Sequence, residues 1–164
     1  VGGSASSRLF QELREKRGLA YSVYSYSAQY EDAGQIGLYV GTREENVAAC
    51  LEVAVGELAD LAAGHVRPDE LARAKENLKG RLLLSLESTS NRMTRLGKSL
   101  GTGTPLLTVE EIVRRLEAVS AEDVSRLAGE LLAIGKLSAA GIGPDESAFR
   151  DAVERVSPSL LEAA

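Results

Sequence analysis

The break at Gly18 constrains the fold more than any other feature of the sequence. Apolar residues recur at helical spacing up to Leu13, and the stretch LREKRGLAY then leads a charged helix end into a glycine. Glycine adopts the left-handed conformation that ends helices, so we predict a helix that finishes near Lys16. Residues 20–30, AYSVYSYSAQY, are rich in β-formers without a helical period and predict a strand. The chain therefore reverses direction at Gly18, and the last helical turn and the first strand residues face one space.

A hairpin and one later strand complete the predicted sheet. The segment QIGLYVGT follows the turn EDAG, and in it Ile36, Leu38 and Val40 alternate with polar and small residues. This pattern is typical of a half-buried antiparallel strand, so we predict a hairpin with the preceding strand. Residues 136–143, KLSAAGIG, are small enough for a buried position and predict a third strand.

Helices are predicted over most of the remaining chain. Their predicted starts are the N-cap serines Ser4, Ser6 and Ser7, the capping box Thr42/Glu45, Pro68 in a first turn, the capping box Thr108/Glu111, and Ser120. The helix after Thr42 is expected to end at Gly64. The apolar repeat after Pro68 continues to about Gly101, and we expect a bend at residues 88–90.

The order of these elements predicts an α+β fold, an antiparallel sheet with helices packed on one face. The length of 164 residues suits a single domain over residues 1–164. Because three strands make a thin sheet, we expect the first strand of the fold to precede Val1, which indicates a piece of a larger polypeptide. Trimming of a mature N-terminus is the alternative explanation.

The composition argues against several classes of protein. The formal net charge of −5 argues against a nucleic-acid groove, which requires a basic face. The single cysteine, Cys50, excludes an intrachain disulfide. No apolar run in the sequence approaches the length of a membrane span.

Most catalytic residue sets are absent from the sequence. The single histidine, His65, cannot form a zinc site alone, and we interpret it as a surface or capping residue. Cys50 is interpreted as a small buried hydrophobe, since no histidine lies near it in sequence to activate it. The glycine-containing segment GTGTP has no lysine at P-loop spacing. We therefore predict no catalytic and no metal-binding residue in this chain.

Arg14 and Tyr21, on the two sides of the break at Gly18, remain as candidates, with two interpretations. In the first, Arg14 is a solvated charge at a helix end and the hydroxyl of Tyr21 reaches water. In the second, the reversal brings a planar guanidinium and a phenol to one space, where they suit a peptide carbonyl or an oxyanion that develops from one.

The stretch GGSASSRLFQELREKRGLAYSVYSY resembles the opening of the second domain of pitrilysin/insulinase-type zinc metallopeptidases. The nearest branch is the mitochondrial-processing-peptidase-like group with its bacterial relatives. The resemblance continues through YEDAGQIGLYVGT, ELARAKENLKGRLLLSLES and EEIVRRLEAVSAEDVSRLA to AAGIGP, from residue 2 to about residue 144.

The resemblance implies a role for the two candidate residues. In that family, an arginine and a tyrosine at this spacing hydrogen-bond the substrate backbone near the scissile bond, and they match Arg14 and Tyr21. The family's zinc motif, H-x-x-E-H with a distal glutamate, lies on the preceding domain, and nothing in this chain matches it. The chain is thus expected to be the substrate-side domain of a zinc-dependent processing endopeptidase, inactive alone.

The resemblance also implies the cofactor and the partners. No cofactor is expected in this chain, whereas zinc is expected in the intact enzyme through the missing N-terminal domain. The expected partners are a peptide substrate, that N-terminal zinc-binding domain and a second protomer in a homodimer, where the pair serves the partner's zinc; neither nucleic acid nor membrane is expected. The implied location is the bacterial cytoplasm.

Two other functions are kept as alternatives. The chain could be a non-catalytic member of the same family that serves assembly or presentation, like the core subunits of respiratory complexes. The retention of Arg14 and Tyr21 argues mildly against this alternative. An unrelated α+β binding module would require the whole resemblance to be chance.

Overall fold

The structure, a computed structural model, describes residues 1–162. Its elements are the N-terminal π-helix Phe10–Lys16, β1 Ala20–Gln29, β2 Gly34–Thr42, α1 Val47–Ala62, α2 Pro68–Ser85, α3 Thr89–Thr102, α4 Val109–Ala118, α5 Ala121–Leu131, α6 Glu146–Val156 and α7 Ser159–Glu162. Short 3₁₀ turns precede α1 and follow α5. β1 and β2 pair as an antiparallel hairpin. The predicted α+β class is confirmed, with the sheet reduced to these two strands in the described part of the chain.

The described residues form two compact units. The first unit contains residues 1–65 and the described residues from Ser125 onward. A cluster of buried residues fills the space between its N-terminal π-helix, hairpin and α1: Leu9, Leu13, Ala20, Val23, Cys50 and Ala54. The second unit, Val66–Val124, contains α2, α3 and α4, and no residue in it is buried.

Gly18 ends the π-helix as predicted. Its φ of 60° lies in the left-handed region that favours glycine. The N–H of Gly18 donates to the carbonyl of Arg14 at 3.2 Å, and the N–H of Leu19 donates to the carbonyl of Leu13 at 2.8 Å. These two nested bonds satisfy the last helical carbonyls and turn the chain directly into β1.

A β-bulge at Tyr21 changes the direction of the side chains in β1. Ala20 pairs with Thr42 and Ser22 with Gly41, so β1 has one residue more than β2 at this point. In a regular strand, residues three apart point to opposite faces. Because of the extra residue, Ala20 and Val23 are both buried, at 5% and 7% exposure.

The predicted third strand is wrong. Residues 137–143 are not part of any strand, although the backbone of Leu137 is extended. A strand requires a neighbour that accepts and donates a ladder of hydrogen bonds. Here the N–H of Ala139 donates to the carbonyl of Leu160 at 2.9 Å, so the segment is held by the C-terminal helical turn.

Two predicted helix caps are also wrong. Thr42 is the last residue of β2, and its hydroxyl donates to the carbonyl of Leu19 at 2.5 Å. It therefore cannot cap α1, which begins after a 3₁₀ turn. In the N-terminal serine cluster, Ser4 and Ser6 hydrogen-bond each other at 3.1 Å, and no side chain caps the π-helix.

The bend predicted at residues 88–90 is a break between two helices, and the predicted cap of α4 is confirmed. The apolar repeat after Pro68 breaks between α2 and α3, where the Ser88 hydroxyl accepts from the N–H of Asn91 at 3.4 Å. The Thr108 hydroxyl accepts from the N–H of Glu111 at 3.2 Å and caps α4. These caps form because each partner lies only three residues away, in the first turn of its own helix.

Candidate functional site

The structure brings Arg14 and Tyr21 together. The guanidinium carbon of Arg14 lies 4.9 Å from the centroid of the Tyr21 ring. Nη1 of Arg14 also donates to the backbone carbonyl of Tyr21 at 3.1 Å. The two residues that the sequence places on either side of Gly18 thus form one local arrangement, as the reversal of the chain predicts.

Phe10 also contacts the guanidinium of Arg14. Its ring centroid lies 4.8 Å from Cζ of Arg14, so the cation contacts two aromatic rings. Phe10 is partly buried and packs against the core cluster of the first unit. Sequence reasoning assigned Phe10 only to an apolar helix face. Phe10 precedes Arg14 by four residues, a spacing that brings side chains together on a helix. This spacing could have predicted the contact from the sequence.

The π-helix and the bulge together define the geometry of the pair. Arg14 lies in a π-helix, a rare element that is frequent at functional sites, and Tyr21 lies at the bulge. The Tyr21 side chain projects away from the core, and the residue is 80% exposed. The Arg14 side chain is 39% exposed, and its Nε lies 3.7 Å from a carboxylate oxygen of Glu15.

The donors of this arrangement suit an oxygen acceptor. The hydrogen bond to the Tyr21 carbonyl uses one of the five N–H groups of a guanidinium. A planar cation and a phenol that are both accessible can donate together to a carbonyl or carboxylate oxygen. The contacts with both rings restrict the orientation of the guanidinium.

Three further tyrosines form a face of the hairpin that the sequence analysis did not assign to a function. The rings of Tyr24 and Tyr39 stack with centroids 4.9 Å apart, and those of Tyr24 and Tyr26 are 6.3 Å apart. Each of the three residues is nearly half exposed. The ring of Tyr26 lies over Gly37, where a Cβ atom would approach it to 2.3 Å. The missing side chain at Gly37 therefore allows this ring to lie flat on the sheet.

His65 takes part in a polar cluster that ties the N-terminal segment to the end of α1. Its Nδ1 lies 2.5 Å from a carboxylate oxygen of Asp60, and Arg8 donates to the other oxygen at 2.8 Å. The hydrogen bond from His65 is the main cause that lowers the pKa of Asp60. His65 is thus engaged at a helix end, in agreement with its interpretation as a surface or capping residue.

The side chains of the described residues do not fit a zinc site. No group of three or more His, Cys, Asp or Glu side chains within residues 1–162 is arranged to hold a metal ion. Cys50 is only 3% exposed, and burial raises the pKa of its thiol. Its interpretation as a small buried hydrophobe is confirmed.

The helices were also compared with the requirements of a membrane span. In the part of the chain that the structure describes, none combines the length and the apolar character that crossing a bilayer requires.

Comparison with known proteins gives consistent similarities. A family model described as the peptidase M16 inactive domain matches residues 1–78. An uncharacterized zinc protease of Bacillus subtilis is 45% identical over 131 residues, which are 80% of this chain and 32% of the relative. An uncharacterized zinc protease of Streptomyces coelicolor is 41% identical over 152 residues, 92% of this chain and 33% of the relative. The chain thus spans about a third of the length of these curated relatives.

Solved structures show the same similarity. The crystal structure of a peptidase M16 inactive domain from Pseudomonas fluorescens matches with a TM-score of 0.70 and 28% identity, over 79% of this chain and 31% of that one. A protease from Helicobacter pylori matches with a TM-score of 0.67 and 26% identity, over 79% of this chain and 32% of that one.

Proposed function

Since this chain belongs to the peptidase M16 family, as its C-terminal, inactive domain, we propose that it is the substrate-side domain of a zinc-dependent processing endopeptidase. In this function the chain itself binds no zinc. Arg14 and Tyr21 hydrogen-bond the backbone of a peptide next to the bond that is cut. The zinc ligands belong to an N-terminal domain of the longer protein, a cytoplasmic homodimer.

The observation that carries this proposal is the arrangement of Arg14, Tyr21 and Phe10. Two accessible donors lie side by side, and the guanidinium contacts two aromatic rings. A solvated arginine at a helix end would have no such fixed surroundings. Donors that are oriented before the reaction stabilise a developing oxyanion because they need no reorganisation when the charge appears.

The lack of a metal-ligand cluster among the described residues supports the assignment of zinc binding to another domain. Within the described residues no metal-ligand cluster is present, and the relatives that extend beyond this chain are named zinc proteases. A domain of this kind contributes to peptide cleavage through substrate contacts. The active site is then completed by a domain outside this chain.

The proposal is tested by steady-state peptide cleavage in the longer, zinc-loaded protein. Tyr21→Phe removes only the hydroxyl, and Arg14→Lys keeps the charge but loses the planar fork. Removing one donor from an oxyanion site costs about 10²–10³-fold in turnover, and we expect losses in this range for both variants.

Matched controls come from the same chain. Tyr30→Phe changes a tyrosine that is 69% exposed at the hairpin turn, and Arg43→Lys changes an arginine whose side chain is 83% exposed. Both controls should retain wild-type turnover, with melting temperatures measured for all four variants. Wild-type turnover in both Tyr21→Phe and Arg14→Lys, or a loss of activity that follows a loss of fold, contradicts the proposal.

A further inference from the structure

We propose that Phe10 is a positioning residue for the Arg14 guanidinium, which it holds against Tyr21 in the orientation that a peptide acceptor requires. This inference rests on the function proposed above and assigns a role to a residue beyond the arginine and tyrosine pair. Phe10 contacts no substrate in this scheme and acts only through Arg14.

The guanidinium of Arg14 contacts two aromatic rings at similar distances. Its carbon atom lies 4.8 Å from the Phe10 centroid and 4.9 Å from the Tyr21 centroid. Arginine stacks on aromatic faces because its guanidinium is planar and weakly hydrated. Contacts with both rings restrict the orientation of the guanidinium. The hydrogen bond to the Tyr21 carbonyl fixes one of its N–H groups.

The rings of Tyr21 and Phe10 differ in how firmly they are held. Tyr21 is 80% exposed, so its ring alone gives Arg14 a mobile support. Phe10 packs against the buried core cluster, which includes its neighbours Leu9 and Leu13. Phe10 is therefore the more rigid support for Arg14, because side chains packed against a core occupy single rotamers.

The order of Phe10, Arg14 and Tyr21 in the chain brings the three side chains together before any substrate binds. Phe10 and Arg14 lie on the same π-helix, and Tyr21 follows the reversal at Gly18. An arginine whose side chain is 39% exposed would otherwise sample many rotamers, and ordering it during the reaction costs free energy. The Phe10 contact orders the side chain before the substrate arrives, as donors in an active site require.

The first test measures the order of the Arg14 side chain in the 164-residue chain by ¹⁵N relaxation of its Nε–H group. Phe10→Leu and Phe10→Met remove the ring and keep an apolar side chain of similar bulk, whereas Phe10→Tyr keeps the ring. We expect greater mobility of the Nε–H group in the first two variants and wild-type order in Phe10→Tyr.

The chain offers a matched control. Phe149, the other phenylalanine, is also partly buried, and its ring lies against Gly141 in the first unit. Phe149→Leu removes a ring of the same size without a change near Arg14, so the Nε–H order should stay at the wild-type value. Equal mobility of Arg14 in wild type, Phe10→Leu and Phe10→Met, or the same change in Phe149→Leu, overturns the inference.

The second test measures turnover in the longer, zinc-loaded protein. Loss of one aromatic contact to a cation should lower kcat about 3–10-fold with little change in KM, and Phe10→Tyr should restore it. In an Arg14→Lys background, Phe10→Leu should cost clearly less, because the planar group that the ring orients is gone. A merely structural role of Phe10 predicts the same loss in both backgrounds.

The outcomes separate the two proposals. Wild-type turnover in both Tyr21→Phe and Arg14→Lys rejects the proposed function, while the relaxation measurement still tests the Phe10 contact. Reduced turnover in Arg14→Lys with wild-type turnover and wild-type Arg14 order in Phe10→Leu rejects the role of Phe10 alone. If Phe10→Leu fails to fold, Phe10→Met and Phe10→Tyr provide the comparison, and equal kcat in these two variants rejects the role.

Discussion

Tyr21 reaches solvent because β1 contains one residue more than the strand beside it. Without the bulge, the two-residue period of a strand would place Tyr21 on the same face as the buried Val23. With the bulge, Ala20 takes the inward position and the tyrosine is available as a donor. The accessibility of a candidate binding residue here depends on a backbone irregularity and is independent of residue type.

At the residue scale, Gly18→Ala tests the junction between the π-helix and β1. An L-residue in the left-handed region costs roughly 1–2 kcal/mol, and Gly18 has φ 60°. We expect Gly18→Ala to lower the free energy of unfolding by about this amount and Tm by a few degrees, measured by thermal and urea denaturation.

Gly56→Ala is the matched control, since Gly56 lies inside α1 and its φ is not positive. A Cβ atom at Gly56 meets nothing within 4 Å, so this change should leave the protein equally stable or stabilise it by about 0.5–1 kcal/mol. An equal loss of stability in both variants would show that the positive φ at Gly18 is not the cause.

The hairpin is the element that carries the exposed aromatic residues. Its inward face supplies Val23, Leu38 and Val40 to the core of the first unit, and its outward face carries the stacked rings of Tyr24 and Tyr39. Aromatic pairs across neighbouring strands contribute to sheet stability beyond the area that they bury. The hairpin is thus stabilised on both faces although no third strand pairs with it among the described residues.

At the element scale, Gly37→Ala tests how closely the rings lie on the sheet. The added Cβ would lie 2.3 Å from the Tyr26 ring, so the ring must move off the sheet. Because Tyr26 is 45% exposed and the added Cβ meets the far end of its side chain, the ring can turn toward solvent, and we expect a loss of stability in denaturant of about 0.2–1 kcal/mol, the usual contribution of a cross-strand contact. The double variant Gly37→Ala/Tyr26→Ser should lose less than the sum of the single changes, because the contact is then absent.

The neighbouring glycine at the start of β2 provides the comparison. A Cβ at Gly34 would meet the Ala28 carbonyl at 3.6 Å, an ordinary contact that displaces no ring, so Gly34→Ala should cost less stability than Gly37→Ala. Additive effects of the Gly37 and Tyr26 changes would rule out the proposed contact.

The whole molecule consists of two units with different degrees of burial. The first contains the core and the Arg14 arrangement, whereas no residue of the second is buried and Leu100 in it is 85% exposed. Relatives about three times as long match this chain over a third of their length. The buried core and the candidate residues therefore both belong to the first unit.

At the scale of the whole molecule, we predict that this chain alone retains no catalytic zinc and cleaves no peptide. Its single histidine and its buried cysteine cannot supply the three protein ligands of a catalytic zinc site. The measurement is metal analysis after dialysis, together with hydrolysis of a fluorogenic peptide, with the longer protein assayed as a positive control. Stoichiometric zinc combined with hydrolysis that a chelator abolishes would contradict this prediction.

The sequence by itself determined the features whose causes are local. The helix end at Gly18, the hairpin with its apolar alternation and the caps Ser88 and Thr108 are set by residues a few positions apart. The resemblance to the family, and with it the candidate residues Arg14 and Tyr21, could also be recognised from the sequence, because the motif around Gly18 is contiguous. Such features need no knowledge of what packs against them.

Only the tertiary structure decided the features that depend on distant partners. Thr42 has the residue type of a helix cap, but the carbonyl of Leu19, which the hairpin brings beside it, takes its hydroxyl. Residues 137–143 have the composition of a strand, but their hydrogen bond goes to Leu160. In each case a competing partner far along the chain offers a hydrogen bond or contact that the local sequence does not encode.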